Sequence, residues 1–192
     1  MVVTALLERP RGRVEVELDG APWRVLPVDV VVRAELAVGR TLDRATARIL
    51  AQELRRADAL ARATRALAAR DRSRRALEQR LERAGVPDAT RDDALGALER
   101  VGLVDDARVA RTRAATLAGR GYGDAAIRFD LEREGLSAEA IAEAVAGIDS
   151  EPERARRLLD QGGCTPRTLR RLAARGFDAA TLEDLGGFAA EA

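Results

Sequence analysis

The chain has 192 residues, and its 33 basic and 32 acidic residues leave a formal net charge of only +1. This near balance does not indicate a strongly basic protein that binds nucleic acid by charge alone. Every basic residue is arginine, histidine is absent, and Cys164 is the single cysteine. The commonest proton shuttle, a thiolate zinc site and the lysine of a phosphate-binding loop are therefore excluded. We expect a protein that is not an enzyme and has no cofactor.

Composition favours helices over a large sheet. Only five residues are aromatic, so the core must be built from alanine, leucine and valine, which suit small, closely packed helices. No apolar run approaches the roughly 18 residues of a membrane span, and the N-terminus becomes charged too soon for a signal peptide. We expect a cytoplasmic monomer that does not contact a membrane.

Strand-like patterning is confined to the beginning of the chain. Residues 13–18 alternate polar and apolar side chains, and the pair Asp19-Gly20 is typical of a tight hairpin turn. The segment from Trp23 to Val25 can return as the partner strand, and residues 2–7 can add a third strand. A short helix is expected at 29–37.

From Asp43 onward the apolar residues recur with helical spacing, and Asp43 itself is the expected N-cap. No glycine or proline interrupts the next stretch up to Arg70, which can form one long helix or two. Beyond it, Ser73 and Thr165 are expected N-caps, with Pro166 at a first helical position.

A motif of Leu-x-x-x-Gly followed by an apolar residue occurs three times. Each glycine suits the left-handed residue that follows a helix, and the apolar residue after it closes the cap. The three copies are Leu81 to Gly85-Val86, Leu131 to Gly135-Leu136, and Leu172 to Gly176-Phe177. The spacing predicts three tandem three-helix repeats in an elongated, curved, mainly α array. The predicted domains are an N-terminal β-hairpin extension at 1–42 and helical repeats at 43–104, 105–150 and 151–192.

Two acidic pairs and one glycine-rich stretch have more than one interpretation. Asp92-Asp93 and Asp105-Asp106 could bind a hard cation, but we favour helix capping, since each pair falls near a predicted helix start. The stretch 119–123, Gly-Arg-Gly-Tyr-Gly, could bind phosphate, but we favour a turn between helices because no strand clearly precedes it.

On the helix that begins after Asp105, the side chains expected to be buried are those of Ala107, Ala110, Ala114 and Leu117. On the next helix, Phe129 falls opposite the apolar stripe of Ile127 and Leu131. It can pack on another repeat or meet a partner, and we favour packing between repeats.

Arginine clusters are the strongest functional signal. Residues 51–104 hold the only marked basic excess, with twelve arginines against nine acidic residues. A solvated, salt-bridged surface is the simpler interpretation of any single arginine. As a set, they suggest a surface for a polyanion or an acidic protein, located on the first two repeats. The candidate binding residues are Arg70, Arg72, Arg74, Arg75, Arg108, Arg111, Arg113, Arg120, Tyr122 and Arg128.

Three stretches together resemble the signatures of the RecX family: residues 70–73, residues 103–108, and residues 120–123 with the helix up to Leu136. The resemblance covers residues from about 55 to 190. It implies three tandem three-helix repeats lodged in the groove of a RecA–DNA filament, with suppression of ATP hydrolysis, strand exchange and coprotease activity. It also implies weak affinity for single- or double-stranded DNA, and a role in DNA recombination, repair and the SOS response.

The sequence departs from the family pattern at several points. The family usually has an aromatic residue where Val109 stands and often a proline where Asp124 stands, and its basic residues include lysine.

The alternative function is an autonomous DNA-binding protein, because helix, glycine turn and helix resemble helix-turn-helix modules. A purely structural helical adaptor would need only the repeats.

Overall fold

A computed structural model describes residues 1–190, with side chains up to residue 187. The described part is mainly helical, with ten helices and one small N-terminal sheet, as the sequence predicted. Contacts divide the chain into two compact units. One contains residues 1–70 and 77–103, and the other contains residues 71–76 and the chain from Val104 onward. None of the described helices is long and apolar enough to cross a membrane.

The first unit begins with an antiparallel sheet of three strands in chain order. These strands are β1 (Val3–Arg9), β2 (Arg13–Leu18) and β3 (Ala21–Pro27). The predicted hairpin turn is present, with Asp19 and Gly20 both at positive φ. The alternation of β2 buries Val14, Val16 and Leu18 on one face, where they pack in the core of this unit.

The short helix α1 (Val28–Arg33) is shorter than the predicted 29–37. The chain leaves the helix because Glu35 adopts a φ of 51°, which turns Leu36 back into the core under the sheet. Burial of one leucine therefore outweighs another turn of helix.

The rest of the first unit is helical. Helix α2 (Arg44–Ala69) is one continuous helix, and the Asp43 carboxylate caps it by accepting a 2.8 Å hydrogen bond from the Thr46 N–H. Its first part reaches the sheet core through Leu50, and it packs along α4 (Asp88–Arg100). Helix α3 (Arg74–Arg83) precedes α4, and its residues from Leu77 onward belong to this unit.

The second unit contains two sets of three helices. Helices α5 (Asp106–Gly119), α6 (Asp124–Glu134) and α7 (Ala138–Ala146) enclose one apolar cluster. Helices α8 (Glu151–Gly162), α9 (Pro166–Ala173) and α10 (Ala179–Ala190) enclose another, which contains Leu159, Leu172 and Phe177. The predicted stripe of α5 is buried or half-buried, and Val109, which the stripe omitted, is buried as well.

The three predicted glycine turns are confirmed. Gly85, Gly135 and Gly176 have φ values of 75°, 82° and 82°. In each turn the N–H of the following apolar residue donates to the carbonyl of the leucine that opens the motif. This is the bond that closes a left-handed helix cap. The expected caps at Ser73 and Thr165 also accept hydrogen bonds from the N–H groups of Ala76 and Thr168.

Candidate nucleoprotein interface

Two hydrogen bonds hold the arginine-rich segment 71–76, which is part of the second unit, against α5 and α6. Ser73 is completely buried, and its hydroxyl donates to the Glu134 carbonyl at the end of α6 while accepting from the Ala76 N–H. The carboxylate of Asp106, at the start of α5, accepts a 2.8 Å hydrogen bond from the Arg74 N–H. These bonds hold the backbone of the segment in one position.

A third point of contact is the stem of Arg75 against Gly135. A Cβ added at Gly135 would overlap the Arg75 side chain and would lie 2.9 Å from its Cβ. Only glycine leaves room for this stem, and Gly135 also needs its positive φ. The Arg75 residue remains exposed overall. Arg75 is therefore presented from a fixed backbone.

Arg108 lies beside this segment on the first turn of α5. Its guanidinium group is 3.8 Å from the Asp71 carboxylate and 3.7 Å from that of Asp105. Asp105 also caps α5 by accepting from the Arg108 N–H. One turn further along the same helix, Arg111 is exposed.

Arg113 forms ion pairs within the protein, with two acidic residues of α6. It pairs with Asp130 through two hydrogen bonds, one of them 3.1 Å long, and its guanidinium group is 3.5 Å from Glu134. The hydrogen bond to Asp130 raises the pKa of Arg113, although burial opposes the shift. The contact joins α5 to α6, so Arg113 is committed to holding two helices together.

The turn at 119–123 joins α5 to α6. The N–H groups of residues 123, 124 and 125 donate to the Arg175 carbonyl, the Glu151 carboxylate and the Gly176 carbonyl. A Cβ at Gly123 would overlap the backbone of the turn between α9 and α10. The structure shows a turn between helices, as the sequence analysis favoured. The N–H groups that a phosphate would need are already bonded within the chain.

Arg120 and Tyr122 lie in the same turn. Arg120 is exposed, and its carbonyl accepts a 3.2 Å hydrogen bond from Arg175. Tyr122 is half-buried against the α5–α7 cluster, and the Arg175 guanidinium lies 5.8 Å from its ring centroid. This stacking leaves only part of the tyrosine accessible to a partner.

Arg154 is a key structural residue that the sequence did not reveal. It is 4% exposed, and its guanidinium group donates to the carbonyls of Tyr122 and Asp149 and to the Asp124 carboxylate. It also lies 5.7 Å from the Phe177 ring centroid. No sequence pattern separates it from its exposed neighbour Arg156. The S-x-x-E capping box of Ser150 and Glu153 could have located the start of α8.

The remaining candidate residues are Arg70, which follows α2 and is exposed, Arg72 and Arg74, which are half-buried, and Arg128, which is exposed on α6. The structure thus brings residues 72–75 close to Arg108. It places Arg120 and Tyr122 in a different turn and Arg113 in an internal ion pair.

Two predictions about individual residues are wrong. Asp92 and Asp93 do not stand near a helix start, because α4 begins earlier, at Asp88; Asp93 instead pairs with Arg56 of α2. Phe129 does not pack between repeats, since it is 61% exposed. Of the other acidic pair, Asp105 caps its own helix as expected, whereas Asp106 caps α3.

Comparison with known proteins identifies the family. The regulatory protein RecX of Stenotrophomonas maltophilia R551-3 is 35% identical over 127 residues, covering 61% of this chain and 78% of that protein. The chain belongs to the RecX family. A second RecX protein, from Xanthomonas oryzae pv. oryzae PXO99A, is 36% identical over 139 residues, covering 65% of this chain and 86% of the relative. The family model for the second three-helix domain of RecX matches residues 105–145, which contain α5 to α7.

Solved RecX structures have the same fold. A crystal structure of regulatory protein RecX superposes with a TM-score of 0.78 at 20% identity, covering 95% of this chain and 98% of the other. RecX from Lactobacillus salivarius superposes with a TM-score of 0.61 at 14% identity, covering 72% of this chain and 98% of that one.

Proposed function

We propose that this chain is a non-catalytic regulator that binds a RecA–DNA filament and inhibits its ATP hydrolysis, strand exchange and coprotease activity. Membership in the RecX family supports a regulatory role, since the curated relatives carry the name regulatory protein. The filament, present in the bacterial cytoplasm, is the proposed partner, and the chain acts on it as a monomer with weak affinity for DNA of its own.

The observation that carries the proposal is the anchored arginine segment. Residues 71–76 are held by Ser73, by the Arg74 N–H and by the stem of Arg75, so Arg75 is displayed at little further cost in backbone entropy. Arg111 and Arg120 are exposed on the same unit. Guanidinium groups form charge-assisted, often bidentate bonds with phosphates and carboxylates, which a nucleoprotein filament offers together.

The test is the DNA-dependent ATPase of RecA from the same organism, titrated with the purified chain. We expect inhibition at substoichiometric to near-stoichiometric ratios, and weaker inhibition as salt rises, because phosphate contacts release counterions. The chain alone should hydrolyse no ATP. An unchanged ATPase over the full titration, or hydrolysis by the chain itself, would contradict the proposal.

A gel-shift series at several salt concentrations, with and without RecA, separates this function from an autonomous DNA-binding role. The filament regulator should shift RecA–DNA complexes at concentrations that leave naked duplex largely unbound. Equal affinity for naked duplex and filament would favour the helix-turn-helix alternative.

A further inference from the structure

Phe129 is exposed and lies outside the apolar core of its unit. It lies on α6, and the apolar cluster of this unit contains Ile127 and Leu131 from the opposite side of the helix. Phe129 is 61% exposed, and it is the only exposed large hydrophobic side chain among those described between residues 104 and 187. Its packing within the chain therefore does not explain it.

Cations flank the ring. At about 100° per residue, Arg128 and Arg133 fall on either side of Phe129 on the solvent side of α6. Both arginines are exposed, and the Arg133 guanidinium lies 5.9 Å from the ring centroid. An aromatic ring between two guanidinium groups can stack on a planar group while the cations reach nearby anions.

The acidic residues of α6 are mostly turned away from this surface. Asp130 and Glu134 lie on the side of the helix that faces Arg113, which pairs with both. On the exposed side of α6, one acidic residue, Glu132, accompanies the two arginines. The solvent side of α6 around Phe129 therefore has a positive balance.

We propose that Phe129, with Arg128 and Arg133, is a stacking platform for one unpaired base of single-stranded DNA. This inference deepens the proposed function. It takes one premise from that function, namely that the chain binds DNA. An isolated ring among charges fits a base better than a protein partner, because protein interfaces have an apolar core depleted of charge. In a duplex, the faces of the bases are already stacked on their neighbours, so the platform selects a single strand.

The first test measures binding of the full chain to a fluorescent oligothymidylate by anisotropy at low salt, with a strand about fifteen nucleotides long to cover one binding site. Phe129→Ala should weaken binding about tenfold, the loss expected for one stacked base. Phe129→Trp should retain it, and Glu132→Gln should strengthen it. An exposed ring contributes little to folding, so all variants should keep their helical content.

The control is a strand of equal length and charge in which the bases are replaced by abasic residues. Wild type and Phe129→Ala should bind it equally, since only phosphates remain to be contacted. A tenfold loss on both strands, or no loss on either, would overturn the proposal.

A second readout reports the stacking itself. In the Trp23→Phe/Phe129→Trp variant the single tryptophan is at the platform, and base stacking should quench its emission with oligothymidylate but not with the abasic strand. If Phe129→Ala weakens inhibition of RecA while leaving single-strand affinity unchanged, the ring contacts protein and the proposal fails. If it weakens single-strand binding but the wild-type chain never affects RecA, the proposed function fails and the platform stands.

Discussion

The arginines of this chain fall into two groups that their sequence neighbours do not distinguish. Arg113 pairs with the carboxylates of Asp130 and Glu134, and Arg154 is bonded to the Asp124 carboxylate and to the carbonyls of two turn residues. Arg75, Arg111 and Arg128 are exposed to solvent. A buried guanidinium group repays its desolvation only when its N–H groups are bonded, whereas an exposed one retains its hydration until a partner replaces it.

Arg154 provides a prediction at the scale of the residue. Arg154→Met should lower the free energy of unfolding by about 3 kcal/mol, because it leaves the Asp124 carboxylate and the carbonyls of Tyr122 and Asp149 without their shared donor. The matched control is Arg156→Met on the same helix, an exposed position where the change should be under about 0.5 kcal/mol. Urea unfolding followed by circular dichroism measures both, and equal effects would show that the Arg154 contacts contribute nothing.

At the scale of the element, the glycine turns separate a backbone requirement from a packing requirement. Gly85 and Gly135 share a positive φ, but only Gly135 has a side chain, that of Arg75, packed against the place of a Cβ. Gly85→Ala should cost about 1 to 2 kcal/mol of stability for the left-handed backbone alone. Gly135→Ala should cost more, and adding Arg75→Ala to it in a double variant should relieve part of that excess. Chemical denaturation of the three single variants and the double variant gives the coupling. Equal costs at the two glycines would mean that the Arg75 stem does not pack tightly.

The N-cap of α2 provides a pH-dependent prediction. The hydrogen bond from the Thr46 N–H lowers the pKa of Asp43, so the charged carboxylate stabilises the folded state. This stabilisation is complete above the pKa of the unfolded chain and is lost as the pH falls through the lower pKa of the folded chain. Asp43→Asn keeps an acceptor but removes the charge. Its melting temperature should be below that of the wild type near neutrality, and the two should converge in acid. A constant difference across this range would contradict the assignment.

At the scale of the whole molecule, the proposed surface consists of three exposed arginines of the second unit, Arg75, Arg111 and Arg120. Replacing Arg75, Arg111 and Arg120 with glutamate should weaken inhibition of the RecA ATPase about tenfold or more, because like charges then face phosphates and acidic side chains. The melting temperature should change little, since all three residues are exposed and glutamate keeps the Cβ, Cγ and Cδ atoms by which Arg75 meets Gly135.

The matched control reverses Arg167, Arg170 and Arg171, three exposed arginines around α9. This variant should keep most of its inhibition. An equal loss from both triple variants would mean a diffuse electrostatic contact, and full inhibition by the first triple would exclude the proposed surface.

The predicted repeat boundaries at 43, 105 and 151 remain a proposal for the same molecule, which hydrogen exchange along α3 and α8 can test.

The sequence by itself determined the helical fold class, the N-terminal hairpin, the caps at Asp43, Ser73 and Thr165, and the three glycine turns. Each depends on residues within one or two turns of each other, so local backbone sterics and hydrogen bonding suffice to predict it. The tertiary structure alone decided which acids cap a distant helix, as Asp106 does for α3, and which arginines are buried, as Arg154 is. It also decided that Phe129 remains exposed. The Asp106 cap and two of the three Arg154 partners join residues that are thirty or more positions apart. Helical periodicity carries no information about which helix a given side will meet, or whether any helix will cover it.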